Sequence, residues 1–502
     1  MEADKETSLS LHSRDSFEYR ALYNLRRSSQ VCRLWRNVIL ENPTFWANVI
    51  EVELLAQETG YWRSEVLRRT GTVLLFVKGH ILEQEETKSL DWLLQTHWPR
   101  LRKLDIRLNS RSWSWVNKST WEVLGHPTNY LEFFNFSLIP ETVATSSPVR
   151  QGSKPFSNHA PALREFHSSQ ITFSLQAPWL QQVTHITFSA PTFTVSQILS
   201  ALEYMPLLEA FDVRSTVLPF RSPIPLNALE PKVNLPRLNY ITICHKLTTS
   251  LAMLGQMTPA PGCCLHLRTT DTERNGMTVP VMNLMHSVIS RYSRNYFDHT
   301  QHDVPKLSID LTRYNFRLLG LLSESRTVSQ GFDIDLFHGG VPPAWASVFL
   351  AVILRCNLDR VSVLELCGMV GLSPDDPDLT NFLHKFNLVK DLRVFSPDIL
   401  EFIPQVASWH EAEVVFPSLE TVRLIGWKKV ELEPTLSFLK WRQKLGVLNL
   451  KDLHISQNNA RASVRGDLRD LEQIGGLSIT WTGKGGEGNY VCGSGNPDLL
   501  NF

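Results

Sequence analysis

The fold is decided by the segment Trp98-Pro-Arg-Leu-Arg-Lys-Leu-Asp-Ile-Arg-Leu-Asn109. Its proline stops whatever structure precedes it, because the ring fixes φ and removes a backbone N–H. Leu101 follows the proline, and Leu104 and Ile106 are then two residues apart. Apolar residues at every second position are typical of a short, half-buried strand. Asn109 stands where the chain leaves that strand, and an asparagine there can satisfy backbone groups of the turn. The segment therefore predicts a strand that begins after a proline and ends in an asparagine turn.

This proline-leucine start recurs along most of the chain. Four further segments place an apolar or small residue, a proline, any residue and a leucine before an alternating stretch: residues 160–163, 205–208, 235–238 and 416–419. Similar alternating stretches without the proline are centred near Leu74, Phe133, Ile186, Leu265, Leu307, Ile334, Leu364, Leu392, Leu448 and Leu477. Together they predict about fifteen strands separated by roughly 29 residues, at the upper end of the leucine-rich-repeat range.

Between several predicted strands the apolar period changes from two to about 3.6, which indicates helices or helical turns. These segments are residues 81–94, 198–205, 281–292, 345–356, 399–409 and 436–445. A strand, a turn and a helix within about thirty residues form the unit of a leucine-rich repeat. We therefore predict an α/β fold in which a short N-terminal helical segment precedes an irregular leucine-rich-repeat solenoid, a curved parallel sheet with helices on its convex side.

A doubly wound α/β domain is the alternative, since its strands and helices also alternate along the chain. The short repeat period, the short strands and the lack of a single glycine-rich nucleotide loop favour the solenoid. Most other copies lack the asparagine of the first one. Thr216 and Trp427, for example, stand at the matching places. The predicted repeats are therefore degenerate.

A second informative segment, residues 25–46, precedes the repeats. One helix would place apolar side chains on one side and Arg26, Arg33 and Arg36 on the other. Asn42-Pro43 would stop that helix, since proline biases the residue before it away from the α region. On periodicity alone this is a small amphipathic helix with a buried tryptophan.

The residue order adds a family resemblance. Val31-Cys-Arg-Leu-Trp-Arg36, followed by Asn42-Pro-Thr-Phe-Trp46, resembles the second half of an F-box, and the chain is similar to fungal F-box proteins that carry degenerate leucine-rich repeats. The resemblance implies a non-catalytic substrate-recognition adaptor of a Skp/cullin/F-box ubiquitin ligase. Its N-terminal helices would bind a Skp-type adaptor, and through it a cullin, while the repeats hold an unknown protein substrate.

The positions that match the F-box pattern are the implied adaptor-binding residues. They are Leu25, Val31, Cys32, Leu34, Trp35, Val38 and Trp46. Among them Trp35 is the expected anchor, and the alternative is that it only packs inside the domain. Arg26, Arg27, Arg33 and Arg36 would form a solvated face or contact an acidic partner.

The start of the F-box pattern is not matched. An F-box usually opens with Leu-Pro and an amphipathic first helix, whereas residues 13–22 read Ser-Arg-Asp-Ser-Phe-Glu-Tyr-Arg-Ala-Leu. A non-ligase leucine-rich-repeat scaffold or binding protein with a degenerate F-box is therefore the alternative function. An enzyme on an α/β fold is a third class, for which the sequence offers no site.

The predicted domain organisation has three parts. Residues 1–50 form the partial F-box-like segment, residues 51–481 form the repeat domain, and residues 482–502 form a flexible glycine-rich tail. Two proline-rich stretches, 140–161 and 218–236, are predicted surface excursions between repeats.

Composition limits the partners and the compartment. Fifty basic residues balance fifty acidic ones, which argues against nucleic acid or an anionic membrane as a general partner. The apolar runs are too short to span a bilayer, and the first fifteen residues contain no apolar signal core. Seven scattered cysteines fit reduced thiols, so we expect a cytoplasmic or nuclear protein.

No motif predicts a catalytic, cofactor or metal site. His299 and His302 are three residues apart, but no third ligand follows at zinc-site spacing. The glycines of residues 483–488 lack the Gly-Lys-Ser/Thr step of a phosphate loop. Asp333 and Asp335 alternate on one predicted strand, and we interpret them as surface carboxylates on the concave face.

Overall fold

The computed structural model describes most of the chain, in two compact units that comprise residues 1–222 and 223–502. The described residues are 21–57, 60–138, 154–168, 171, 173–188, 193–214, 231–269, 278–299, 306–312, 315–321, 331–337, 344–369, 373–396, 398–407, 414–425, 429–447, 449–456, 463–465, 467–483 and 486–501. The helices before residue 50 thus belong to the same unit as the strands that follow them.

The first unit contains short helices and seven strands. Its helices are α1 (Ala21–Ser28), α2 (Arg33–Glu41), α3 (Pro43–Ala47), α4 (Val52–Leu55), α5 (Tyr61–Arg69), α6 (Gln84–His97), α7 (Ser110–Trp115), α8 (Lys118–Leu124) and α9 (Val195–Leu202). Its strands are β1 (Ile50–Glu51), β2 (Leu75–Ile81), β3 (Leu101–Leu108), β4 (Phe133–Leu138), β5 (Glu165–Ser168), β6 (His185–Phe188) and β7 (Ala210–Arg214).

These seven strands form one parallel ladder in the order of the chain. One buried row crosses all of them: Ile50, Val77, Leu104, Phe134, Phe166, Ile186 and Phe211. Within that row the rings of Phe134 and Phe166 stack with centroids 5.4 Å apart. Consecutive parallel strands with one apolar face are the arrangement that the sequence predicts for its repeats.

The segment around Asn109 has the predicted geometry. Pro99 lies in a 3-10 turn, and the strand begins directly after it at Leu101, which is fully buried. At the other end Asn109 Oδ1 accepts a hydrogen bond from the backbone N–H of Ser112 at 2.6 Å. The asparagine therefore starts α7 as well as ending β3, as expected for a side chain that satisfies orphan amides.

The second unit contains longer helices and most of the strands. Its helices are α10 (Leu247–Gly255), α11 (Val279–His299), α12 (Ala344–Leu354), α13 (Pro377–His384), α14 (Asp398–Ala407) and α15 (Glu433–Lys444). Its strands are β8 (Val233–Leu235), β9 (Tyr240–His245), β10 (Met257–Pro259), β11 (Cys264–Thr269), β12 (Lys306–Leu311), β13 (Asn315–Leu321), β14 (Phe332–Phe337), β15 (Val363–Met369), β16 (Asp391–Val394), β17 (Thr421–Ile425), β18 (Lys429–Glu431), β19 (Asp452–Ser456), β20 (Ser463–Arg465), β21 (Ser478–Gly483) and β22 (Gly486–Val491).

Eleven of these strands share a sheet whose order departs from a regular solenoid. The order is β9, β11, β14, β13, β12, β15, β16, β17, β19, β21 and β22. The 21-residue helix α11 carries the chain from β11 to β12, three strand positions away. The chain then returns through the antiparallel strands β13 and β14 before α12 leads to β15. A three-stranded meander thus interrupts the parallel ladder, and the antiparallel pair of β21 and β22 ends it.

The predicted α/β fold with a mostly parallel sheet is confirmed. All five proline-started segments lead to strands, namely β3, β5, β7, β9 and β17. Helices lie at the six segments where the period changes, with ends that differ by a few residues. The strand predicted near Leu448 begins at Asp452, and residue 448 itself lies outside the described residues.

The predicted flexible tail is wrong over its described part. Residues 486–491 form β22, which pairs antiparallel with β21, and Tyr490 is 5% exposed. Its hydroxyl donates a hydrogen bond to Glu472 at 2.8 Å. Glycine is needed at position 488 because a Cβ there would lie 2.1 Å from the Trp481 ring. At position 488 the glycine therefore reflects close packing rather than a lack of structure.

The two predicted surface excursions fall mostly on residues that the structure does not describe. Of 140–161 it describes 154–161, which begin with a 3-10 turn at Pro155–Asn158. Of 218–236 it describes 231–236, which contain β8.

Candidate functional site

Residues 21–47 form three short helices, so the single helix predicted before Asn42-Pro43 is divided into two. The first ends at Ser28, where the Ser29 hydroxyl donates to the Arg26 carbonyl at 2.6 Å. The second begins after Cys32, whose Sγ accepts a hydrogen bond from the Trp35 N–H at 3.5 Å. Side chains that bond to nearby backbone groups compete with a continuous helix, which explains the break. The predicted stop at Asn42-Pro43 is confirmed, since α2 ends at Glu41.

Asn42 also begins the next helix. Its side-chain oxygen accepts a hydrogen bond from the N–H of Thr44 at 3.1 Å, and Pro43 occupies the first turn of α3. Proline is favoured there because the missing N–H would have no helical partner. The exit turn of the sequence pattern is therefore a one-turn helix that positions Trp46.

Trp46 fixes the three helices to the rest of the unit. It is 2% exposed, and its indole N–H donates to the carbonyl of Ile39 on α2 at 2.7 Å. Its ring meets Trp62 edge-on at 6.4 Å, and the Arg69 guanidinium lies 4.9 Å from its centroid. Trp46 is thus a structural residue, and it contributes no exposed surface to a partner.

A buried carboxylate holds the start of α1. Glu51, at the end of β1, is 2% exposed and accepts a hydrogen bond from the Ala21 N–H at 2.9 Å. Burial raises the pKa of Glu51, although Lys78, whose Nζ lies 3.3 Å from it, and the Ala21 amide oppose the shift. A carboxylate at a helix N-terminus is favourable because the peptide dipoles point their positive end toward it. The orientation of α1 is therefore tied to the first two strands.

The outer side of α2 is apolar and exposed. Val31 is 71% exposed in the turn before the helix, and Leu34, Trp35 and Val38 are 70%, 54% and 50% exposed. On a helix, positions 34, 35 and 38 lie within about 100° of one another, so their side chains form one stripe. We call these four residues the helical patch. The alternative that Trp35 only packs inside the domain is wrong.

The remaining predicted adaptor-binding residues do not belong to the helical patch. Leu25 is half-buried on α1, and Cys32 is exposed but serves as the N-cap of α2. Arginines at 33 and 36 flank the apolar stripe on its two sides, and both are exposed. The apolar surface is therefore rimmed by positive charge.

The open face of the first sheet, which is the side opposite its buried apolar row, is polar. Lys78, Asp105, Asn135, His167 and Thr187 lie in register on five neighbouring strands. Asn135 donates to Asp105 at 2.7 Å, and His167 Nδ1 lies 2.8 Å from the Thr187 hydroxyl. Neighbouring polar groups on this face thus bond to one another across the strands.

The open face of the second sheet carries a buried charge cluster. Arg317 on β13 donates two hydrogen bonds of 3.2 Å to Asp333 on β14, and His266 Nδ1 on β11 lies 3.2 Å from the same carboxylate. The Asp333 side chain is 3% exposed, whereas those of Arg317 and His266 are 42% and 27% exposed. Burial favours the neutral acid, but the hydrogen bonds from His266 and Arg317 outweigh it and lower the pKa of Asp333.

Other charges on this face are also paired. Arg393 and Arg423 both contact Asp391, at 3.1 and 3.0 Å, and Lys306 contacts Glu365 at 2.5 Å. Paired and oriented charges can recognise a polar protein surface by competing with or extending these contacts.

The interpretation of Asp333 and Asp335 as surface carboxylates is half correct. Both lie on the open face, as the alternation predicts, but Asp333 is buried because β13 brings Arg317 against it. Strand β13, which carries Arg317, was not predicted, and neither was this ion pair. Its signal was the alternation of Phe316 and Leu318, both buried, around an outward arginine.

The described residues contain one of the two histidines considered as metal ligands. His299 is exposed at the end of α11, and His302 lies outside the described residues. In the described part of the chain there is no group of three or more potential metal ligands. No described helix is both long and apolar enough to cross a bilayer.

No protein-family model matches the chain, and no curated protein is similar to it in sequence at a significant level.

Proposed function

We propose that this chain is the substrate-recognition adaptor of a Skp/cullin/F-box ubiquitin ligase. The helical patch would bind the Skp-type adaptor, and the open faces of the strand ladders in the two units would offer the surfaces that hold a protein substrate. Transfer of ubiquitin would be carried out by partner subunits.

The observation that supports this proposal best is the exposure of four large apolar side chains at the F-box-like positions. Monomeric proteins rarely leave contiguous apolar surface in water, and such patches mark binding sites. Tryptophan is among the residues that contribute most to protein interfaces. The patch also sits on a helix that Trp46 holds in place, so little ordering cost is expected on binding.

The rim of the patch predicts the partner's chemistry. Because Arg33 and Arg36 flank the stripe, a complementary surface should be an apolar groove with acidic side chains at its edges. Mixing the chain with a purified Skp-type adaptor tests this directly, since the complex should form and should weaken moderately at high salt.

A matched pair of variants separates binding from general surface effects. Leu34 is 70% exposed in the patch, and Leu388 is 53% exposed in the second unit. Leu34→Ala should weaken adaptor binding by about tenfold, because it removes a contact that forms only in the complex. Leu388→Ala makes the same chemical change and should leave binding unaltered. Equal effects of the two variants, or no binding by the wild type, would reject the ligase assignment.

A second candidate is a leucine-rich-repeat scaffold whose helical patch binds a different protein. The sequence of residues 13–22 favours it, because they lack the Leu-Pro start of an F-box. A photo-crosslinking residue at position 34 distinguishes the two, since it should label a Skp-type adaptor in the first case and another protein in the second.

A further inference from the structure

The outer edge of β22 has backbone groups that β21 does not use. The two strands pair antiparallel from Ser478 opposite Val491 to Gly483 opposite Gly486. The Cys492 N–H donates to the Leu477 carbonyl at 2.9 Å. Because inward and outward backbone groups alternate along a strand, this bond fixes which residues of β22 bond to β21. Antiparallel pairing then directs the N–H and C=O groups of Glu487, Asn489 and Val491 away from β21.

This edge lies open to solvent in the part of the chain that the structure describes. Glu487 and Asn489 are exposed, and the Val491 side chain is 46% exposed. Among the described strands, β22 pairs only with β21. The Val491 carbonyl accepts a hydrogen bond from the Ser494 N–H at 3.2 Å. The other outward N–H and C=O groups form a row that is a template for another strand.

The edge of the first sheet is protected in a way that β22 is not. There β1 pairs with β2 for only two residues before α4 turns away. The Glu53 side chain then accepts a hydrogen bond from the His80 N–H of β2. The chain thus blocks one sheet edge with its own carboxylate, and no described side chain does so along β22.

We propose that β22 pairs with β22 of a second copy of this chain, antiparallel and around a two-fold axis at Asn489. In this register Asn489 meets Asn489 of the partner subunit, and Glu487 meets Val491 of the partner subunit. All three outward residues on each strand are paired, which gives six backbone hydrogen bonds across the interface. In two of these the Val491 carbonyl accepts a second donor besides the Ser494 N–H of its own chain. A shift of the axis by one residue in either direction leaves one outward residue of each strand unpaired within the segment.

Charge and side-chain chemistry favour a second copy as the occupant. The register keeps the two Glu487 carboxylates apart, since each faces a valine, and the two Asn489 amides can bond to each other. The chain has formal net charge +0, so two copies do not repel overall. A six-residue edge is small beside the roughly 1,600 Å² of a standard interface, so the dimer should be weak and dependent on concentration.

Sedimentation equilibrium of the full chain over a wide range of concentration tests the pairing. The wild type should pass from monomer to dimer as the concentration rises. Asn489→Pro removes an outward N–H without touching a bond to β21, and it should raise the dimer dissociation constant by at least about tenfold. Asn489→Ala keeps that N–H and should change the constant by less than about threefold.

A charge pair at position 491 tests the register even if the proline variant fails to fold. Val491→Glu would place two like-charged pairs across the axis and should weaken the dimer by about tenfold. Val491→Lys would place an opposite charge against Glu487 of the partner subunit and should leave the dimer as tight as the wild type or tighter. A wild type that stays monomeric at every concentration, or equal dissociation constants for the glutamate and lysine variants, overturns the proposal.

Discussion

The helical patch and the Asp333 cluster differ in which side chains they expose and which they bury. In the patch, Leu34 and Trp35 are apolar and more than half exposed. In the cluster, Asp333 is charged and almost fully buried beneath two basic partners. Exposure of the first surface to water is unfavourable because it is apolar. In the second, the charge of Asp333 is already paired with Arg317 and His266. Burial of the first surface by a partner would be favourable, whereas a partner of the second would have to replace existing ion pairs.

Two tryptophans eleven residues apart test this distinction most strongly. Trp46→Ala should lower the free energy of unfolding by about 3–5 kcal/mol, because it empties a buried site and removes the bond to Ile39. Thermal or denaturant unfolding of the purified variant measures it. A loss below about 1 kcal/mol would mean that the three helices do not depend on this side chain.

The charge cluster should contribute an intermediate amount of stability. Asp333→Asn should lower the free energy of unfolding by about 1–3 kcal/mol at neutral pH, because it removes the charge that binds Arg317 and His266. The folded pKa of Asp333 lies below its ordinary value of 3.8. Its contribution is therefore complete above that value and is lost as the pH falls through the folded pKa.

Denaturant unfolding of wild type and Asp333→Asn at several pH values checks both the size and the sign. The difference between them should shrink as the pH falls below 3.8, the ordinary value. A difference that grows toward acid would contradict the ion-pair account. Asp335→Asn is a suitable control, because Asp335 lies on the same strand and face but is less buried and 3.7 Å from Arg268.

The smallest stability effect is expected at the patch. Trp35→Ala should change the free energy of unfolding by less than about 1 kcal/mol, since half of the side chain is already in water. The same unfolding measurement applies to it. A loss comparable to that of Trp46→Ala would show that Trp35 is a packing residue and would remove the contrast between the two surfaces.

Local patterns predicted more of the fold than of the interactions between distant segments. The alternation at Leu104 and Ile106 predicted β3, and the other proline-started segments likewise led to strands. The order β11, β14, β13, β12 could not be predicted, because strand neighbours depend on long-range pairing rather than on local period. The buried state of Asp333 depends on that order, so it was missed with it.

The functional segment shows the same limit. The sequence predicts that Leu25, Val31, Cys32, Trp35, Val38 and Ile39 share the apolar side of one helix. The structure divides this set, because Ile39 is buried whereas Trp35 and Val38 are exposed in one stripe with Leu34. An exposed and a buried stripe have the same spacing, and only the packing of Trp46 and Ile39 decides that α2 turns its other side inward. The glycines between residues 483 and 495 predict a flexible tail, whereas the structure needs glycine at 488 because the Trp481 ring lies against it.

Binding of the full chain to a purified Skp-type adaptor, measured by titration calorimetry, tests the central claim most directly. The account predicts that the wild type binds and that Trp35→Ala weakens binding by about thirtyfold or more while the variant remains as stable as the wild type. Absence of binding by the wild type, or equal affinities of the wild type and a folded Trp35→Ala variant, would contradict it.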